Sequence, residues 1–131
     1  MSRIAVIFFI LISLAACACI TDVPVTKEQK KATVFISNGK TQCQDNALPI
    51  NTTKRDLLAA GIDVMSQSCG VLTGRMYASV CGGQTGQVHL FVIDIANVEK
   101  AKALGFSQVD DTALGIREIE CVSAQPNKTT I

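Results

Sequence analysis

The chain has no tryptophan, one tyrosine and one histidine. A lone histidine leaves no second imidazole for a zinc site, and no Cys-x-x-Cys is present to replace it. The missing Cys-x-x-Cys also argues against thioredoxin-like redox chemistry. Net charge is +1, so neither nucleic acid nor an anionic membrane surface is attracted electrostatically. Gly-x-Ser-x-Gly and its relatives are missing. No phosphate-cradling glycine loop opens a helix; the run from Cys81 to Gly86, CGGQTG, precedes a strand pattern instead. Asp110 and Asp111 are adjacent, and neighbours on an extended chain point to opposite faces, which is wrong for a glycosidase dyad. His89 lies inside a strand pattern, where a packed histidine is commoner than a general base. These absences predict a non-catalytic protein with no catalytic residues, no metal and no cofactor. No apolar run reaches the ~20 residues that span a bilayer as a helix.

What is there begins at the front. Arg3 supplies a positive start, and Ile4 to Leu14 is apolar except for Ser13. That is the length of a secretory h-region, and the small residues Ala15, Ala16, Cys17 and Ala18 follow it. Leu14-Ala15-Ala16-Cys17 resembles the lipobox of bacterial lipoproteins at all four positions. The resemblance implies that Cys17 becomes the first mature residue. Its sulfur then carries diacylglycerol and the new N-terminus a further acyl chain such as palmitate. Several chains hold a protein durably on a membrane where one does not. Ala18, rather than Asp, follows Cys17. By the sorting rule of enteric lipoproteins this implies a lipid anchor in the outer membrane, facing the periplasm. The competing reading is a soluble secreted disulfide-rich binding or inhibitor protein, cleaved after Ala16 or Ala18. Asn51-Thr52-Thr53 and Asn127-Lys128-Thr129 fit the glycosylation pattern, which matters only on a eukaryotic secretory route.

Taking residues 1–16 as a lipoprotein signal peptide leaves 115 of the 131, one domain's worth. Residues 17–31 read as a polar tether, 32–123 as the domain, and 124–131 as a disordered tail. Of six cysteines, Cys17 is assigned to lipid and Cys19 is the odd one. Cys43, Cys69, Cys81 and Cys121 are the disulfide candidates, since export favours bridges over free thiols.

Ala32 to Ser37, ATVFIS, reads as a strand, and Asn38-Gly39 as a turn. Asn51 or Thr52 is placed to cap a helix over TKRDLLAA, stopped by Gly61. Ile62 to Ser68 alternates apolar and polar and reads as a second strand. The glycine-rich stretch 69–86 reads as a loop or hairpin excursion, with Arg75, Tyr77, Gln84 and, just beyond it, Gln87 as recognition candidates. Val88 to Ile95, VHLFVIDI, is a strong strand, and Asn97 to Leu104 a helix closed by Gly105. A last strand lies in 106–109, in 116–122, or in both. LLAAGIDV and AKALGFSQV echo each other as helix, glycine, apolar residue.

The pattern predicts an α+β fold, a small ferredoxin-like βαββαβ domain with an antiparallel sheet in order 4-1-3-2 and two helices on one face. The layout resembles that of the sporulation-related peptidoglycan-binding domain. That family's aromatic and glycine pattern in the first strand is absent, so its function is not carried over.

In this topology Cys43, Cys69 and Cys81 share one edge. The expected bridges are Cys69–Cys81 and Cys43–Cys121, with Cys43–Cys81 or Cys43–Cys69 as competitors. On VHLFVIDI, Val88, Leu90 and Val92 are expected to face the helices. His89, Phe91, Ile93 and Ile95 then face away, sharing that side with Phe35 and Met65. Such a patch is either covered by the chain's own ends or is an interaction surface for an envelope protein or a second copy.

Overall fold

The computed structural model describes residues 28–121. Both the lipobox and the C-terminal tail lie outside the described residues. The domain is an antiparallel five-stranded sheet with two helices. In chain order the elements are β1 (Lys31–Ser37), α1 (Ile50–Ala59), β2 (Ser66–Thr73), β3 (Gln87–Asp94), α2 (Val98–Ala103), β4 (Ser107–Gln108) and β5 (Gly115–Ile119). The sheet order is β4-β1-β3-β2-β5. It differs from the expected four-strand order by β5 on the β2 edge, so both candidate last strands form. Lys31 belongs to β1 rather than to the tether.

The two echoed helix exits have one physical cause. Gly61 (φ +73°) and Gly105 (φ +94°) adopt the left-handed conformation that ends a helix. After α1, Gly61 N–H donates to Leu58 O at 2.9 Å and Ile62 N–H to Leu57 O at 3.0 Å. After α2, Gly105 N–H donates to Lys102 O at 2.9 Å and Phe106 N–H to Ala101 O at 3.2 Å. These are Schellman caps, and the apolar residue beyond each glycine, Ile62 and Phe106, is driven into the core.

Ile62 is therefore buried by a cap and not by a strand, which corrects the expected second strand. Pairing with β3 starts only at Ser66, and β2 continues through Cys69 and Gly70 to Thr73. Gly70 sits inside a strand at a point too tight for a side chain unless a neighbour shifts. A Cβ there would stand 2.7 Å from Ile116 Cγ2 and 2.9 Å from Leu90 Cδ1. The start of α1 also differs from expectation. It begins at Ile50 behind Pro49, with no side-chain cap from Asn51 or Thr52.

The two sheet faces are the reverse of the expected ones. Leu57 of α1 and Val98 and Ala101 of α2 share one buried cluster with Val34, Phe91 and Ile93. Both helices thus lie on the Phe91 side. On the opposite face Phe35, Val88 and Leu90 are also buried, with Leu72, Val109 and Ile116 packed against them. Register agrees, since Phe35 lies opposite Leu90 and Val34 opposite Phe91. Both faces of β3 are apolar, so alternation carries no sign saying which faces the helices. Residues 109–114 carry the chain from β4 on one edge to β5 on the other. Val109, the first residue of that connection, and Ile116 of β5 pack on this cluster together with Leu72, where no α-helix lies.

Candidate functional site

Four of the six residues expected on an open patch are interior. Phe91 and Ile93 are 0 % exposed, His89 2 % and Phe35 8 %. Phe35 faces away from the other three, and Met65 stands apart at the entrance to β2, its N–H donating to Val92 O at 2.8 Å. Ile95 is exposed in a short 3-10 turn before α2. Phe91, Ile93, His89 and Phe35 are thus core residues, and the two exposed ones, Met65 and Ile95, do not join them in a surface patch.

His89 is held by α1. Thr53 donates its hydroxyl to Ile50 O at 3.0 Å, and its oxygen lies 2.7 Å from His89 Nδ1. The tautomer with the proton on Nδ1 satisfies both bonds at once. Burial pushes the imidazole below its ordinary pKa, and a backbone hydrogen bond at Leu48 opposes that shift. The ring is closed off from solvent between α1 and the sheet. Nothing in the sequence marked Thr53 as its partner, because the two are 36 residues apart.

Asp110 and Asp111 sit in a 3-10 turn rather than on an extended chain. Asp111 binds Lys102 at 2.7 Å, and Lys102 also meets Glu99 at 3.0 Å. Those two bonds raise the Lys102 pKa. Asp94 accepts from the Ala96 N–H and from Gln29 Nε2, both at 2.8 Å, and the first of these chiefly lowers its carboxyl pKa. Among the described residues, no group of three His, Cys, Asp or Glu is placed to hold a metal ion. Among them too, no helix is long and apolar enough to cross a membrane.

The exposed chemistry gathers at the end of the sheet where β1 and β2 finish and β3 begins. Two loops meet there, residues 38–49 and 74–86. The bridge Cys43–Cys81 joins them, and Cys69–Cys121 joins mid-β2 to Cys121, two residues beyond β5. The favoured pairing of Cys69 with Cys81 is thus wrong, as is that of Cys43 with Cys121. Cys69 is not at the sheet edge but inside β2, opposite Ile119 of β5, which brings Cys121 within reach.

Around Cys43–Cys81 the loops pair as backbone. Gln42 N–H donates to Gly83 O at 2.8 Å and Gly82 N–H to Gln42 O at 3.0 Å. Gln42 Nε2 reaches Ala78 O, and Thr85 Oγ1 reaches Lys40 O, both at 3.0 Å. Asn38 anchors the base. It is buried, its N–H donates to Gln87 O at 3.1 Å, and its Oδ1 accepts from the Lys40 N–H at 3.0 Å. The sequence marked it only as a turn residue. Tyr77 lies against the backbone of Gly86, whose Cβ, if present, would clash with the ring. The Arg75 guanidinium stands 5.9 Å from the Tyr77 centroid, while Met76 is 98 % exposed. Of the recognition candidates, Gln84 bridges to Thr41, and Gln87 Oε1 accepts from Asn38 Nδ2 at 3.2 Å. The Gln84 backbone, the Gln87 side chain and Tyr77 on Gly86 are therefore fasteners, whereas Arg75 stays exposed at the loop tip.

Comparison of the chain with protein-family models, with curated proteins and with solved structures found no match.

Proposed function

We propose that this protein is a lipoprotein of the bacterial cell envelope whose domain is a non-catalytic interaction or structural module. Cys17 is its lipidation residue, the outer membrane its anchor, and the periplasmic side its place of work. The observation that carries this reading is how the cysteines divide. All four beyond the tether close on one another in two bridges, as expected of an exported chain. The domain therefore has no need of Cys17, which ends the four-residue lipobox. Enclosure of the lone histidine against Thr53 supports the non-catalytic half. The stretch β4-β1-β3-β2, with both helices on one face, supports a ferredoxin-like ancestry to which β5 has been added. The partner is an envelope protein or a second copy, met at the loop end of the sheet.

Feeding cells radiolabelled palmitate tests the anchor. Label should enter the wild-type chain and vanish in Cys17→Ser. An intact mass without acyl groups, starting at Cys17 or Cys19, would instead make this a soluble secreted protein.

A further inference from the structure

The two bridges differ in what surrounds them. Cys69 is buried in a strand between β3 and β5, and only its partner Cys121 is exposed. Cys43 and Cys81 are both exposed and both in loops. The space beside Gly82, next to Cys81, is open, with nothing within 4 Å of a Cβ built there. Cys43 holds φ +65°, the one non-glycine in the left-handed region among the described residues, which an L side chain disfavours. Neither loop belongs to a buried cluster, since all core residues in both clusters lie outside 74–86. What fastens 74–83 to the body is the bridge, the hydrogen bonds of Gln42, and Tyr77 on Gly86.

We propose that Cys43–Cys81 is a reducible clasp. A dithiol opens it, freeing residues 74–83 with Met76 and Tyr77, while Cys69–Cys121 and the sheet stay closed. One thiolate of the dithiol attacks the exposed Cys81 sulfur, forms a mixed disulfide and expels Cys43 as thiolate. The second thiolate attacks its own partner's sulfur and expels Cys81. Two electrons pass to the protein, both cysteines become thiols on protonation, and the dithiol leaves as a disulfide. Attack on Cys69 is blocked by its burial, and attack on the exposed Cys121 must expel Cys69 as a thiolate inside the sheet, a poor leaving group. At Cys43 the geometry favours opening, because the freed residue can leave the left-handed region. The proposal does not depend on lipidation.

The test is graded reduction of the full oxidised chain with dithiothreitol, quenched by alkylation and read cysteine by cysteine after digestion. Cys43 and Cys81 should be alkylated together, about tenfold faster than Cys69 and Cys121. In the singly reduced species, hydrogen exchange should rise at Gly82 and Gly83 and stay unchanged across β2 and β3. A double variant, Cys43→Ser with Cys81→Ser, should fold and show that same exchange pattern. Equal rates, or Cys69 and Cys121 opening first, overturn the clasp. So does a double variant that fails to fold, because the bridge is then a staple the sheet requires. Unchanged exchange at Gly82 and Gly83 overturns it as well.

Discussion

The two faces of this sheet hide similar side chains by different means. On one, helices α1 and α2 lie over Phe91, Ile93 and Val34. On the other, Phe35, Val88 and Leu90 are covered by a short connection and by the strand it leads to. A helix is braced by its own hydrogen bonds, whereas a connection of six residues borrows its order from what it covers. Equal burial thus need not mean equal rigidity, and the cost of removing a side chain depends on how far its surroundings collapse. Phe91 and Phe35 make the comparison at fixed chemistry. Phe91→Ala should lower unfolding free energy by about 4 kcal/mol and Phe35→Ala by about 3 kcal/mol, both read by chemical denaturation. Phe91→Asp should leave no folded protein, since its charge would be buried and unpaired. An equal or larger loss at Phe35 would show that the connection is as stiff as the helices.

Overpacking probes the same cover from beneath. Gly70→Ala places a methyl between Ile116 and Leu90, both at under 3 Å. Leu90 is fixed in the central strand, so Ile116 must give way. The expected loss is about 2 kcal/mol. Its signature is faster hydrogen exchange in β5, with β1 unaffected. Exchange that rises equally on all strands would mean that the outer cluster and the helix core are one unit.

The helix face also carries a group that titrates near neutral pH. His89 is the sole histidine, and burial lowers its folded pKa below the unfolded value of about 6.5. Above that value the ring is neutral in both states and its contribution is fully present. As pH falls through 6.5, the unfolded chain takes up a proton that the folded one refuses, so stability declines. The slope should approach, and not exceed, about 1.4 kcal/mol per pH unit. It should be flattened in His89→Gln. A slope between pH 6.5 and 5 that survives this change would place its origin elsewhere, away from the Thr53 contact.

How much of this was legible depended on whether a signal was local. Glycine after an apolar helix end, with an apolar residue beyond, is a local pattern, and both Schellman caps follow from it at Gly61 and Gly105. The same local habit misled at Ile62, where burial through a cap imitates the alternation of a strand. Which face of β3 meets the helices is not local at all. His89, Phe91 and Ile93 alternate with Val88, Leu90 and Val92, and both series are apolar enough for either side. Cysteine pairing failed for a related reason. Spacing favours Cys69–Cys81, but the register of β2 against β5 puts Ile119 opposite Cys69, and only a fifth strand brings Cys121 there. Of the two clasped loops, residues 74–86 were visible as glycine-rich sequence. Their fastening through Gln42 and Asn38 was not, because amide side chains pair across distances that no short motif records.

The smallest expected effect examines the cover at its own ends. Val109 and Ile116 are partly buried, and each meets the outer cluster from a different side of the connection. Val109→Ala removes two methyl groups from a half-exposed position, so about 1 kcal/mol is expected. If residues 109–114 fold onto the sheet as one piece, loosening one end also weakens what the other end gains. Val109→Ala and Ile116→Ala should then be non-additive by about 0.5 kcal/mol or more, although the two residues sit toward opposite edges. Strict additivity would mean two separate plugs, each held by its neighbouring strand, with the residues between them adding nothing to the cover. In that case the outer face would owe its burial to β4 and β5 alone, and Phe35, beside β4, would tolerate changes in the connection that leave Ser107 and Gln108 paired with β1.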